Sequence, residues 1–404
     1  MVLACNRHRK IMNNRDFAFN NIKFAEDGLV AILSTCAILR KAASDIAPML
    51  NEACIDSDPG NIYMRMHYIL LALGQNEMAL DMQSDALRHR SIYRVVSPAS
   101  PKIRLLAIMG PGDMTDNTPI DFLVEHSDIQ LDLLFISPEI NFPSSIPDHD
   151  IAFVALGESD KNKPILEEIR KLLLTWPRPY INHPEKILNC ARHKTSQILQ
   201  NIPGLVVPKT YRMHRDQLGE FTFPITIRPI DTHSGKGFEK ITNHKELKAY
   251  LDHSEHDEFY ISEFIEYQSH DGCYRKLRIA LIGRKPFICH LAISDNWIVH
   301  YAPSGMELSE HKRAEERTVM ENFDHVFAAR HGEALFAIAD RLDLDYVVID
   351  CAETKDGELL LFEADPGGWV HAIDPVEIFP YKPAIMQKAF DAFRSLLLKR
   401  ASIE

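Results

Sequence analysis

Along the first hundred positions apolar residues recur with helical period and few turn signals interrupt them; Pro59-Gly60, Pro98 and Pro101 are the main punctuation. The pattern predicts an all-helical region over 1–100. From residue 102 the rhythm changes. Residues 102–109 form a short apolar run closed by Gly110-Pro111-Gly112-Asp113, and 131–136 and 151–156 repeat the type. Stretches of helical period such as 164–174 lie between and beyond them. Strands alternating with helices predict a small parallel α/β unit over 101–190. Past residue 181 a helix is expected over 185–200. Strands follow at 225–228, 260–264, 277–282, 286–293, 346–350 and 358–363. A helix at about 330–342 and an amphipathic one at about 384–400 complete an α+β unit over 191–404. The fold class is therefore α/β, α+β in its C-terminal part.

Composition narrows the function classes. With 46% apolar and 25% charged residues over 404 positions, the chain has material for two or three cores and is not disordered. A formal charge of −12 argues against nucleic acid as the main partner, because phosphate binding needs a basic surface. The most apolar stretch, 29–39, is far short of the ~20 residues a spanning helix needs and runs into Arg40 and Lys41. It predicts a buried helix rather than a membrane segment. The first ten residues lack the apolar core of a secretory signal, so a cytoplasmic protein is expected. Seven cysteines without a C-x-x-C pair point to small buried hydrophobes, not to a disulfide scaffold or zinc site. Tyr63, Gly74, Ala79 and Ala86 resemble, in type and spacing, the aromatic, glycine and two alanines of a tetratricopeptide repeat, although position 67 holds His where the repeat prefers Gly. Only one unit is clear, which leaves a packed helical appendage and a peptide-gripping surface both open.

Two constellations carry candidate chemistry. The strand residues 223–229 end in Arg228 and lead into the loop Asp231-Thr232-His233-Ser234-Gly235-Lys236-Gly237. A guanidinium can make forked hydrogen bonds to phosphate, glycines admit close backbone N–H groups, and Lys236 adds charge. The order of a P-loop is absent, and an exposed hairpin turn explains the same loop. In the second, Asp350 ends an apolar run, Gly357 turns the chain, and a second apolar run carries Glu363 and Asp365. Glu363 and Asp365, two apart on a strand, share a face, and Asp350 on the neighbouring strand can lie beside them. Three carboxylates together repel, and a hard cation such as Mg²⁺ relieves this. A solvated acidic face is the alternative, but the apolar runs predict buried strands. On this view Asp350→Asn or Glu363→Gln removes repulsion and leaves the fold intact. Gly110, Gly112, Asp113 and Thr115 sit at a strand's C-terminal end, where open α/β sheets bind ligands; a plain βα turn accounts for them equally.

Taken in order, these motifs resemble the ATP-grasp superfamily, similar to glutathione synthase and to the ligase that adds glutamate to ribosomal protein S6. The resemblance covers 191–404, with a lid subdomain at about 205–262 and a preceding small domain at 101–190. It implies that Lys194, Arg228 and the loop Ser234, Gly235, Lys236 and Gly237 meet the phosphates of ATP. Glu263 and the backbone of Phe264 and Ile265 would bind adenine, and Arg278 would face the transferring phosphate. Asp350, Glu363 and Asp365 would hold magnesium, two ions for which manganese can substitute. The chain departs from the family in Arg228 for the usual Lys and Asp365 for the usual Asn. Lys276 stands where an acid often binds the ribose, a contact that would pass to Asp271 or Glu266. His300 and Tyr301 are candidates for substrate recognition or for strand packing. Trp369 and His371, after Gly367 and Gly368, are candidates for an acceptor wall or for the core.

The family resemblance implies a carboxylate–amine ligase working through an acyl phosphate, with Lys194, Arg228 and Arg278 supplying charge stabilisation. Its substrates would be a small molecule or peptide carrying a carboxylate, and an amine acceptor, and a homodimer is the expected assembly. The alternatives are a nucleotide-binding interaction protein that uses its helical region, and a kinase that stops at the phosphorylated product.

Overall fold

The computed structural model describes residues 23–25, 29, 31–32, 34–41, 43–232 and 235–402. The N-terminal residues read above for targeting, Cys5, and the loop residue Ser234 lie outside these. Strand β1 (Lys23–Ala25) precedes the helices α1 (Thr35–Leu39), α2 (Ala43–Ala53), α3 (Pro59–Ala72) and α4 (Asn76–His89). The α3 helix starts where it does because the Asp58 carboxylate caps the N–H groups of Gly60 (2.8 Å) and Asn61 (3.3 Å), with Pro59 in the first turn. Just past its end Gly74 takes a left-handed φ of +71°. Ala79 and Ala86, both fully buried, let α4 lie close against α3, and Met64, Ala86 and Leu87 join the main core of the molecule. Among the described residues of the apolar stretch 29–39, Thr35–Leu39 are helical, and Ala31 bridges to Arg94 in β2 (Ile92–Val96). The helices therefore close at His89, because the β-branched residues of β2 already belong to the next sheet.

That sheet also contains β3 (Ile103–Met109), β4 (Ile129–Phe135), β6 (Ile151–Val154) and β7 (Tyr180–Ile181). Its order is β2-β4-β3-β6-β7, with every pairing parallel except that of β2. Helices α5 (Ile120–Leu123) and α6 (Lys163–Leu173) belong to this unit, and a short strand β5 (Ser145–Pro147) pairs with β1. Inside the sheet Arg94 makes a buried forked pair with Asp132, at 2.7 and 2.8 Å.

After α7 (Pro184–Ile187), α8 (Arg192–Ile198) and β8 (Leu205–Val206), an antiparallel lid sheet forms from β9 (Thr210–His214), β10 (Ile225–Pro229), β11 (Glu239–Ile241) and β12 (Glu258–Glu263). With α9 (His244–His253) it encloses its own core of Ile225, Ile227, Ile241, Leu247, Phe259 and Ile261. The central sheet has the order β14-β13-β15-β16-β8, from β13 (Tyr274–Ile282), β14 (Lys285–Ser294), β15 (Tyr346–Glu353) and β16 (Leu359–Asp365). Gly283 and Arg284, both at positive φ, make the two-residue turn between β13 and β14. Helices α10 (Glu310–Glu321), α12 (Gly332–Leu342) and α13 (Lys382–Ala401) pack on β14, with α11 (Phe327–Arg330) set apart from α12 by a break at His331. No helix among the described residues is long and apolar enough to cross a membrane.

The sheets are held to one another by side chains that imitate backbone. The Asn182 amide donates to the Tyr346 carbonyl (2.8 Å) and accepts from its N–H (2.9 Å), pinning the start of β15 beside β7. A forked pair of Arg394 with Asp128, both contacts at 2.6 Å, ties α13 to the parallel sheet. The Arg94–Asp132 pair is the fold's clearest single liability. Asp132→Asn, which leaves a buried guanidinium short of its partner, is expected to cost about 3–5 kcal/mol in urea denaturation.

Candidate active site

Strand register assembles the charged centre. Arg278 on β13 lies opposite Asp350 on β15, and Asp350 opposite Glu363 on β16, so that the three form one row across the central sheet. A register shift between Asp350 and Cys351 marks a bulge at that point. The Arg278 guanidinium grips Asp350 with Nε to Oδ1 at 2.8 Å and Nη2 to Oδ2 at 3.1 Å, and Lys276 Nζ donates to Oδ2 at 2.9 Å. Burial pushes the Asp350 carboxyl up, but Arg278 and Lys276 outweigh it and hold the group well below the usual carboxylate range. Glu363 receives a hydrogen bond from Arg192 at the start of α8. Burial raises its pKa too, yet Arg192, with help from Arg228, leaves it lowered.

The lid sheet supplies the facing wall. Arg228, buried at the end of β10, donates to the Thr232 carbonyl and stands over the Phe238 ring at 5.6 Å. Burial and the neighbouring Arg192 depress its pKa to about 9. Gly235 has φ +75°, and a Cβ there would meet His300 Nε2 at 2.7 Å, so the loop can sit on His300 only as glycine. The lid is tied down on the small domain as well. Arg212 of β9 forks onto Asp160 (2.8 and 2.6 Å) and reaches Glu258 of β12, while the Asp160 N–H donates to Asp231 (3.1 Å).

Between the two sheets lies a cavity of about 540 Å³. One end is apolar and aromatic, with Val207, Phe264, Ile265, Tyr267, Leu360 and Trp297 in its wall. Its middle carries Arg192, Arg228, Lys276 and Arg278 beside Asp350 and Glu363. Its lining also includes Gly367, Gly368 and Trp369, residues 113–115, and Leu71 and Asn76. A larger cleft of about 1140 Å³ beside α4 carries Arg88, Arg90, Glu139 and Lys161, all exposed or half-exposed. It brings together no comparable buried set.

The cavity gathers most of the residues singled out in the sequence: Arg228, Gly235, Glu263, Phe264, Ile265, Arg278, Asp350, Glu363 and Asp365 all line it. Others lie elsewhere. Lys194 Nζ donates to the Leu188 carbonyl at 3.1 Å, and Arg192, two residues earlier and so about 200° round the helix, faces the cavity instead. Asp271 makes a forked pair with Arg275, at 3.0 and 2.7 Å, outside the cavity. Lys236 and Gly237 do not line it; the Gly237 carbonyl accepts from Tyr250 Oη at 2.7 Å. The Phe264 N–H, one of the backbone groups expected at adenine, is already bonded to the Pro224 carbonyl (3.2 Å). Arg192 is a cation that the sequence did not single out, and Lys276, noted there only for standing where an acid often binds the ribose, is turned onto Asp350. Arg192 carried one signal, a cation in the first turn of a helix, where the macrodipole disfavours it unless an acid is near.

The acids differ from the repelling triad expected. Asp350 and Glu363 are matched with cations, and Asp365 Oδ1 accepts the Gly367 N–H at 2.7 Å. Among the described residues no group of three or more His, Cys, Asp or Glu could hold a metal ion. Their oxygens are of the kind Mg²⁺ prefers, but as arranged Asp350 and Glu363 are engaged by Arg278, Lys276 and Arg192, and Asp365 by the Gly367 N–H, and they do not fit the ion.

No protein-family model matches the chain. Solved structures similar to it include a D-alanine–D-alanine ligase from Bacillus anthracis complexed with ATP, at 15% identity and TM-score 0.46, over 75% of this chain and 99% of that one. The VanG D-Ala:D-Ser ligase from Enterococcus faecalis is similar at 14% identity and TM-score 0.46, over 73% and 99%. A RimK domain ATP-grasp protein from Sphaerobacter thermophilus is similar at 14% identity and TM-score 0.44, over 73% and 99%. Identities this low and superpositions this loose leave the site's own geometry to carry the function.

Because Asp350 neutralises two cations, removing its charge is destabilising rather than neutral, contrary to the expectation from repulsion. Asp350→Asn is expected to lose about 3–5 kcal/mol at pH 7, measured by denaturation. The folded pKa of Asp350 lies below the unfolded one, so its contribution is complete above the unfolded value and fades as pH falls towards the folded value. The difference between parent and variant should stay constant from pH 8 to about 5 and shrink below about pH 4.

Proposed function

We propose that the chain is an ATP-dependent carboxylate–amine ligase of the ATP-grasp type. One observation supports this above the others: Arg192, Arg228, Lys276 and Arg278, from three different elements, converge on the middle of a cavity whose one end is apolar and aromatic. A triphosphate needs such a cluster, and a purine needs such an end. The base lies between Val207, Phe264, Ile265 and Leu360, with the exposed carboxylate of Glu263 at the rim. The phosphates lie among the four cations, which exchange part of their bonding to Asp350 and Glu363 for bonding to phosphate oxygens.

The chemistry follows from that placement. A substrate carboxylate oxygen attacks the γ-phosphorus, the bond to the β–γ bridging oxygen breaks, and ADP leaves with the electron pair. The amine nitrogen then attacks the acyl carbon, the bond from carbon to the phosphate oxygen breaks, and inorganic phosphate departs as the nitrogen sheds a proton. Neither step requires a protein nucleophile. Arg278 and Arg228 approach from opposite walls and meet the equatorial oxygens where charge develops, which is electrostatic catalysis by groups already in position. The lid, fastened through Arg212 and Asp160, keeps water from the acyl phosphate.

The first experiment is the melting temperature of the full chain with a non-hydrolysable ATP analogue, with and without Mg²⁺. At a hundredfold excess over Kd, binding to the native state stabilises by about 2.7 kcal/mol and must raise it. The rise should vanish in Arg228→Ala; no rise in the parent at saturating analogue rejects the nucleotide site. Arg278→Ala should lower the rate of ATP turnover by at least tenfold while weakening analogue binding much less, the sign of a contact that strengthens in the transition state. Equal losses in both would assign Arg278 to ground-state binding alone.

A further inference from the structure

We infer that the contact between the lid and residues 157–160 of the small domain is a proton-operated latch, closed while Glu158 carries a proton and loosened when Glu158 ionises beside Asp160 and Asp231. The latch is a property of the fold; its consequence for nucleotide release rests on the nucleotide reading above.

Two separately built parts meet there. The loop after β6 is fixed by its own bonds: the Gly157 N–H donates to the Asp116 carbonyl (2.9 Å), and the Asn162 amide donates to the carbonyls of Asp116 (2.8 Å) and Gly157 (3.0 Å). The lid has a core of its own. What spans the gap is charged. Arg212 forks onto Asp160 and reaches Glu258, and the Asp160 N–H lies 3.1 Å from each carboxylate oxygen of Asp231. Arg212 on β9, Tyr260 on β12 and Arg228 on β10 are register partners, so they share one face of the lid sheet. Whatever moves Arg212 therefore moves Arg228, the cation that the lid brings to the cavity.

Glu158, Asp160, Asp231 and Glu258 gather at this contact, and the cations around them are already engaged. Arg212 is bonded to Asp160 and Glu258, Arg192 to Glu363, Lys161 to Asp116 (2.7 Å) and Lys194 to the Leu188 carbonyl (3.1 Å), while Lys163 in the first turn of α6 attracts Asp160. His193 of α8, stacked on Tyr260 at 5.8 Å, is held below its usual pKa by burial and by Lys194 and Arg212, and is neutral at pH 7. The Tyr260 phenol and the Cys190 thiol, both raised by burial, stay protonated. Burial, then Asp231 and Asp160, push the Glu158 pKa up to about 7, against the pull of Lys194 and Arg192. An open lid returns Glu158 to water and towards an ordinary carboxyl value. The closed form therefore binds the proton more tightly. Opening becomes easier as pH rises from about 4.5, and the effect levels off above about 7.

The test is amide hydrogen exchange at Asp160 in the full chain without nucleotide, read as a protection factor so that the intrinsic rise of exchange with pH is divided out. Protection of this N–H, whose partner Asp231 lies across the gap, should fall at least about tenfold between about pH 5.5 and 7.5 in the parent. It should stay high and flat in Glu158→Gln and be lost at every pH in Arg212→Ala. A flat profile in the parent, a parent-like fall in Glu158→Gln, or unchanged protection in Arg212→Ala would each overturn the latch, and the parent's profile decides alone should a variant not fold. The dissociation rate of a fluorescent, non-hydrolysable ATP analogue should rise over the same pH range, and Glu158→Gln should remove the rise. An analogue that binds and leaves at a pH-independent rate would overturn the latch's hold on release. Absence of analogue binding would instead strike the nucleotide site, with the exchange profile still deciding the latch.

Discussion

The buried carboxylate of Asp350, held between Arg278 and Lys276, is the constraint around which the central sheet and its cavity are organised. Desolvation of such a group is expensive, and only fixed cations at hydrogen-bond distance make it tolerable. The sheet must therefore keep the register that sets Arg278, Asp350 and Glu363 in one row. A slip of one residue would turn Asp350 towards Leu277, Ile279 and the helices behind, and carry Ile349 or Cys351 into the cavity. The charge row and the apolar face thus specify the same pairing from opposite sides of the sheet. Arg192 and Arg228 close the set from α8 and the lid, so that an excess of positive charge faces the space between the sheets.

Much of this is legible in the amino-acid order. The alternation of apolar runs with helical stretches gives the parallel sheet, and the two apolar runs ending in acids give the β15–β16 pair with Asp350 beside Glu363. What sequence cannot convey is who partners whom. Asp350, Glu363 and Asp365 read as a repelling triad because their cations come from positions 72 to 171 residues away along the chain. Lys194 and Arg192 differ by only two positions, but a helix turns that into nearly opposite faces, and spacing within a motif does not reveal which face is inward. Asp271 has a competitor four residues on, Arg275, which occupies it locally. The break between α11 and α12 falls at His331-Gly332, a boundary that periodicity alone passes over.

The helical region shows the same division. Tyr63, Gly74, Ala79 and Ala86 mark a close-packed hairpin, and the structure has one there. The residue that fits the repeat pattern least, His67, backs the Gln83 side chain that holds the hairpin to the Gly112 loop. A glycine at 67 would leave Gln83 its two hydrogen bonds to Gly112 but take away the imidazole that backs them. A departure from a sequence pattern is in this case the record of a tertiary contact.

One last feature links the two ends of the cavity. A side chain at Gly368 would begin 2.4 Å from Val348 Cβ, on the strand that places Asp350 two residues later. The space beside the 366–369 turn and the position of the charge row are therefore a single mechanical variable. A side chain built outward from Gly368 will shift β15 and detune the charge row.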